Sequence, residues 1–254
     1  MRVFLSAGEY SGDILAAELF VQLKVINKNI QASGVVGPHM ISAGVDSFLN
    51  IESLSCMGLW EVVRALGRLR MLQSELITKI LRFRPQVAIL VDFPGFHLKL
   101  AELLKLHGIL VIQYVAPKIW AWGENRAYRL QDQVDHILGI LPFEERFFKK
   151  FKLKCHYVGT PIYDRIVSHK KKSSTSCKTD LIISFFPGSR RQELIKHLPI
   201  IVDVIGMLAR KKSKVKFLIH LAPSLQKKEF EDLLRVSLFL LENIDVSVSR
   251  QDSL

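Results

Sequence analysis

Short, continuous apolar runs alternate along the chain with longer segments whose apolar residues recur every three to four positions. The runs at 2–6 (RVFLS), 31–36 (QASGVV), 86–91 (QVAILV), 109–115 (ILVIQYV) and 135–141 (DHILGIL) predict strands, and 155–159 (CHYVG) predicts another. Between them, 11–26, about 59–84, 95–107, 124–133 and 143–151 carry helical periodicity. Continuous apolar strands alternating with amphipathic helices predict an α/β fold with a parallel sheet covered on both faces. Residues 168–180 (SHKKKSSTSCKTD) have no periodicity and read as a linker. The alternation then restarts with strand 181–186, helix 189–212, strand 215–221, helix 224–241 and strand 244–248. Residues 1–167 therefore form one domain and 181–254 open a second. Three strands and two helices are thin for an independent α/β domain, so the second is expected to be incomplete.

Composition narrows the picture. With 49% apolar residues in 254, a large core can form and global disorder is excluded. The net charge of +12 favours polyanions, anionic membrane faces or phosphorylated small molecules. No nucleic-acid recognition motif accompanies that charge. Three widely spaced cysteines, with no CxxC and no Cys/His cluster, indicate neither a disulfide framework nor a metal site. The longest strongly apolar stretch, ILVIQYVA, is far too short to span a bilayer, so any membrane contact is expected to be peripheral. The apolar run at the N-terminus is likewise too short for a signal-peptide core.

Three loops carry candidate chemistry. In SAGEYSGD (6–13), Gly8 and Gly12 do not fit the dinucleotide spacing GxGxxG, and Glu9 and Asp13 would repel a pyrophosphate. That disfavours a nicotinamide-dependent oxidoreductase. The loop either binds hydroxyls and orients a proton-transfer group, or caps its helix with Ser11 as N-cap and Asp13 in the first turn. In ILVDFPGFHLKLA, Asp92 falls at the carboxyl end of a buried strand, where open α/β sheets bind ligands. Flanked by Phe93 and Phe96, it is either a general base toward a hydroxyl or the N-cap of helix 95–107. In FFPGSRRQEL, Gly188 and Ser189 turn into a helix that opens with Arg190 and Arg191. Arginine is unfavourable at the positive end of a helix macrodipole, and a bound anion would convert that cost into an asset. The alternative is a capping box of Ser189 with Gln192 and two solvated arginines.

Residues 56–72 (CMGLWEVVRALGRLRML) set a stripe of Leu59, Val62, Val63, Leu66 and Leu69 beside Trp60, Arg64 and Arg68. Arg70 returns to the apolar face. The segment is either a core helix with a basic edge or a surface, including Met57, for a phosphorylated lipid and the membrane interface.

AGEYSGD (7–13), GVVGPHM (34–40), MGLWEV (57–62), LVDFPGF (90–96), YVAPKIWAWGENR (114–126), LPFE (141–144), VGTP (158–161) and PGSRRQE (187–193) occur in this order along essentially the whole chain. Together they resemble the lipid-A-disaccharide synthases, GT-B glycosyltransferases of family 19. The resemblance implies two Rossmann-like domains facing a cleft. It implies transfer of 2,3-diacylglucosamine from UDP to the 6-hydroxyl of 2,3-diacylglucosamine 1-phosphate (lipid X), with inversion, with no metal or cofactor, at the inner membrane's cytoplasmic surface. On this view Asp92 is the base and Glu9, Ser11 and Asp13 line the cleft. Arg190, with the amides at Gly188 and Ser189, faces the UDP diphosphate, and Trp120 and Trp122 belong to the cleft wall. The 56–72 stripe takes acyl chains. Two departures stand out. Thr160 replaces the family's more frequent histidine, and a Gly-Thr-Ala…Glu segment expected to hold the nucleotide is not among these residues. The chain alone is therefore expected to have little activity unless a companion chain supplies that half. A truncated remnant that only binds phospholipid or a partner is the alternative.

Overall fold

The computed structural model describes residues 1–55, 62–170, 181–189, 191–211, 215–222 and 246–250. They divide into two units, Met1–Ser173 and Ser174–Leu254. The first is built on seven parallel strands: β1 (Arg2–Ala7), β2 (Gln31–Val36), β3 (Asp46–Asn50), β4 (Val87–Val91), β5 (Leu110–Tyr114), β6 (His136–Gly139) and β7 (Cys155–Tyr157). Their spatial order is β3-β2-β1-β4-β5-β6-β7. The chain thus winds outward from β1 in one direction and, after β3, returns to β4 and winds the other way. That reversal makes the sheet doubly wound and puts a crevice beyond the carboxyl ends of β1 and β4.

The central strands form because their residues are apolar on both faces. Phe4, Leu5, Ala88, Leu90 and Val111 are fully buried. The helices supply the covering layers: α1 (Tyr10–Ile26), α2 (Pro38–Ser42), α3 (Glu52–Ser55), α4 (Val62–Phe83), α5 (Pro94–Leu106), α6 (Arg126–Gln133), α7 (Glu144–Lys149) and α8 (Pro161–Lys170). On α5 the buried residues Phe96, His97, Leu100, Ala101 and Leu104 repeat at helical spacing. Each leucine of that stripe contributes about 1.5–3 kcal/mol on burial.

Two short elements escape the sequence pattern. β3 is an edge strand of sequence DSFLN with exposed or only partly buried side chains, and α2 has only five residues. Helix α8 also runs to Lys170, overlapping the start of the expected linker. Helix α1 begins at Tyr10 with Glu9 as its N-cap, so Ser11 lies in the first turn and is not the cap.

The second unit has the parallel strands β8 (Leu181–Phe185), β9 (Val215–Leu221) and β10 (Val246–Arg250), in the order β10-β9-β8. Helix α9 (Arg191–Lys211) packs Leu194, Leu198, Val202 and Ile205 against Phe217, Ile219 and Leu221. The expected helix 224–241 lies outside the described residues, and β10 sits two positions later than the strand expected at 244–248.

Candidate functional site

The crevice at the reversal point is floored by two loops that leave adjacent strands side by side. β1 and β4 pair in register as far as Ala7 with Val91, so Gly8-Glu9 and Asp92-Phe93 emerge together. The Phe93 ring lies where a side chain on Gly8 would go: a Cβ there would come within 2.2 Å of the ring. Glycine is therefore required at position 8 by close packing. Glu9 is exposed and the Asp92 side chain partly so. The sheet thus sets the loops that carry Glu9 and Asp92 side by side.

Asp92 does not cap α5. The N-cap is Phe93, whose carbonyl accepts from the amides of Phe96 (3.3 Å) and His97 (3.2 Å). Among the described residues the Asp92 carboxylate has no hydrogen-bond partner, while its backbone is tightly held. Its amide donates to the Tyr114 carbonyl at 2.8 Å, and its own carbonyl accepts from His97 Nδ1 at 2.7 Å and Gln113 Nε2 at 3.2 Å. Both Asp92 (φ 53°) and Phe93 (φ 50°) are left-handed, a conformation that side chains other than glycine rarely adopt. His97 is fully enclosed, and burial pushes its pKa down to about 4 against the opposing pull of the Asp92 carbonyl. The ring is therefore neutral near pH 7. A carbonyl can only accept, so the proton sits on Nδ1, and Nε2 accepts from the Ser6 hydroxyl at 2.9 Å.

Asp13 is corrected by the structure. Its side chain is buried rather than lining an open cleft, and its oxygens accept from the amides of Gly37 (2.9 Å), His39 (2.9 Å) and Met40 (3.0 Å). Gly37 is the N-cap of α2 and has no side chain of its own to cap with, so Asp13 performs that task from α1. Ser11 is exposed in the first turn of α1. Beside it, the Tyr10 hydroxyl meets His39 Nε2 at 2.9 Å, a pair that the sequence pattern does not mark.

The loop after β5 lies at the same end of the sheet. Its 3-10 turn, Lys118–Trp120, is anchored by Trp120 Nε1, which donates to Glu144 Oε1 at 3.3 Å, and by Trp120 packing edge-on against Phe143. Glu144 is itself buried and accepts from the amides of Ile140 and Leu141. Trp122 is 65% exposed, with Arg126 over its ring. Trp120 is thus fixed in place, and Trp122 presents an open aromatic face.

In the second unit, Gly188 (φ 118°) turns the chain between β8 and α9. Two side chains of α9 hold this loop: the Ser189 amide donates to Glu193 Oε2 at 2.9 Å, and His197 Nδ1 donates to the Pro187 carbonyl at 2.7 Å. The Ser189 amide is held by Glu193 rather than by the Gln192 of the alternative capping box. A carboxylate of this chain thus occupies the amide that the sequence reading offered to a diphosphate. Arg190, Met57, Leu59 and Trp60 lie outside the described residues, and for Arg64 and Arg68 the description extends only to the helical backbone of α4. Among the described residues, no three His, Cys, Asp or Glu side chains gather as metal ligands would, and no helix is long and apolar enough to cross a membrane.

The sequence model of the lipid-A-disaccharide synthetase family matches residues 3–254. The chain belongs to that family. It is 33% identical over 235 residues to the lipid-A-disaccharide synthase of Wigglesworthia glossinidia brevipalpis, covering 90% of this chain and 61% of that protein. It is 32% identical over 250 residues to that of Coxiella burnetii (strain Dugway 5J108-111), covering 96% of this chain and 66% of that protein. The chain therefore spans 61–66% of the length of these relatives. In fold it is similar to the UDP-GlcNAc 2-epimerase of Neisseria meningitidis, with a TM-score of 0.63 and 14% identity over 99% of this chain and 73% of that one. It is also similar to the calicheamicin glycosyltransferase CalG4, with a TM-score of 0.56 and 12% identity over 98% of this chain and 70% of that one. The α/β, GT-B type architecture expected from the sequence is the one these neighbours share.

Proposed function

We propose that this chain carries the acceptor side, and the first donor contacts, of a lipid-A-disaccharide synthase. The donor is UDP-2,3-diacylglucosamine and the acceptor is the 6-hydroxyl of 2,3-diacylglucosamine 1-phosphate. The observation that carries this reading is the pair of adjacent loops at the β1/β4 reversal point, one carrying Glu9 and the other Asp92, whose carboxylate does not cap α5 and has no hydrogen-bond partner among the described residues. In the reaction Asp92 takes the proton of the acceptor hydroxyl as that oxygen attacks the anomeric carbon. The bond from that carbon to the diphosphate breaks with inversion, giving the β(1→6) disaccharide 1-phosphate and UDP. Glu9 orients the acceptor sugar from the same floor, Trp120 and Trp122 bound it, and Ser11 lies at its edge.

The leaving diphosphate gathers negative charge, which calls for fixed donors. Arg190 and the amides of the Gly188-Ser189 loop supply them once the anion takes the place that Glu193 holds at the Ser189 amide. No cofactor enters these steps. Met57, Leu59, Trp60, Arg64 and Arg68 contact acyl chains and the cytoplasmic surface of the inner membrane. The decisive assay supplies donor and acceptor together and follows disaccharide and UDP. Asp92→Asn is expected to slow product formation by about 10²-fold or more. Equal rates for the two chains, both above the background without protein, would remove Asp92 from the chemistry. Separately, UDP should raise the melting temperature, and Arg190→Ala should abolish that shift.

A further inference from the structure

Three residues other than glycine adopt left-handed conformations at the ends of two neighbouring strands: Asp92 and Phe93 after β4, and Val115 after β5. Valine is β-branched, so its φ of 68° is a true outlier. Such conformations persist only where the surroundings over-determine them. Backbone bonds hold part of this geometry, Asp92 N–H to the Tyr114 carbonyl and Val115 N–H to that of Leu138, and two polar side chains with no exposed surface, His97 and Gln113, hold the rest. Gln113 Nε2 reaches the carbonyls of Asp92 (3.2 Å) and Val115 (3.3 Å) and, more weakly, that of Tyr114 (3.5 Å), while His97 Nδ1 reaches only that of Asp92 (2.7 Å). All of these partners are acceptors, so the orientation of the Gln113 amide is fixed with its NH2 toward them. Its own Oε1 has no hydrogen-bond partner among the described residues. A buried carboxamide with one end unsatisfied is a poor way to fill a core, which marks its donors as the reason for its presence.

We infer that Gln113 and His97 are positioning residues for Asp92: by clamping its carbonyl they hold the left-handed turn that keeps its carboxylate off the amides of α5 and at the floor of the crevice. The ordinary entry into a helix has an extended N-cap whose side chain bonds back to the first turn, and Asp92 in that role would be consumed as a cap. The left-handed turn passes the cap to Phe93 and lays the Phe93 ring over Gly8. The functional half of this inference rests on Asp92 being the base; the geometric half does not.

The test is nuclear magnetic resonance on the full 254-residue chain. In the unsubstituted protein, the His97 ring should carry its proton on Nδ1. A proton on Nε2 at neutral pH would overturn the clamp without any variant being made. Backbone carbon and nitrogen shifts then report the turn. Gln113→Leu should lose the left-handed signature at Asp92, Phe93 and Val115, whereas His97→Leu should lose it at Asp92 and Phe93 and keep it at Val115. His97→Asn, which can still donate to the carbonyl, should restore it. A merely structural role would move all three sites together or none, and persistence of the signature at Asp92 in both leucine variants would refute the inference. If Asp92→Asn forms product at full rate while these shifts behave as expected, the clamp stands and the base assignment falls.

Discussion

His97 makes the stability of the first unit depend on pH in a way that can be calculated. Its folded-state pKa is about 4, against an ordinary value of 6.5. Protonation therefore favours the unfolded chain: the contribution is fully present above pH 6.5 and is lost as pH falls toward 4. A gap of about 2.5 units corresponds to about 3 kcal/mol in total, of which about 2 kcal/mol is gone by pH 5. The ring is fully buried, so solvent screening does not reduce the figure. Urea unfolding followed by tryptophan fluorescence isolates the right unit, because Trp60, Trp120 and Trp122 all precede Ser173. Other groups also titrate across this range, so the informative quantity is the difference from His97→Asn, which lacks the titration. The unsubstituted chain should lose about 2 kcal/mol more than the variant between pH 8 and pH 5. Parallel curves would mean that the ring is hydrated or already charged in the fold, and would refute the burial argument.

Asp13→Ala should destabilise the chain by about 3 kcal/mol or more in the same assay, because three amides at the start of α2 lose their acceptor. A change below about 1 kcal/mol would return Asp13 to the crevice as a ligand-facing group. Gly8→Ala should cost about 1–3 kcal/mol by driving a methyl into the Phe93 ring, and adding Phe93→Ala should recover part of that loss. No recovery in the double variant would show that the two loops do not share this contact.

Much of the fold is legible in the sequence because its strands are continuous apolar runs closed by turn residues. LVDFPG shows both the end of β4 and the start of α5, and the ladder from Arg2 to Ser6 with β2 follows from the same alternation. β3 is not legible: DSFLN is an edge with polar ends, and its place depends on pairing with Ser33–Val36 rather than on its own pattern. Asp13 misleads for a physical reason. A carboxylate in a helix's first turn reads as serving that helix, whereas its partners lie 24–27 residues away on α2. Glu193 escapes the sequence reading for the same reason, since only the turn at Gly188 brings its oxygen to the Ser189 amide. His97 and Gln113 pass unnoticed because each sits singly inside an apolar stretch. The available clue is that a buried polar side chain must find partners, and here those partners are the carbonyls of strained residues.

The central claim is that the Asp92 carboxylate receives the acceptor's 6-hydroxyl at the β1/β4 crevice. Titrating 2,3-diacylglucosamine 1-phosphate into the chain while observing the Asp92 carboxyl carbon tests it without requiring turnover. The account predicts that this resonance moves as the acceptor binds and stays still when the 6-deoxy analogue binds at saturating concentration. Identical responses to the two ligands, or none to either at saturation, would contradict it.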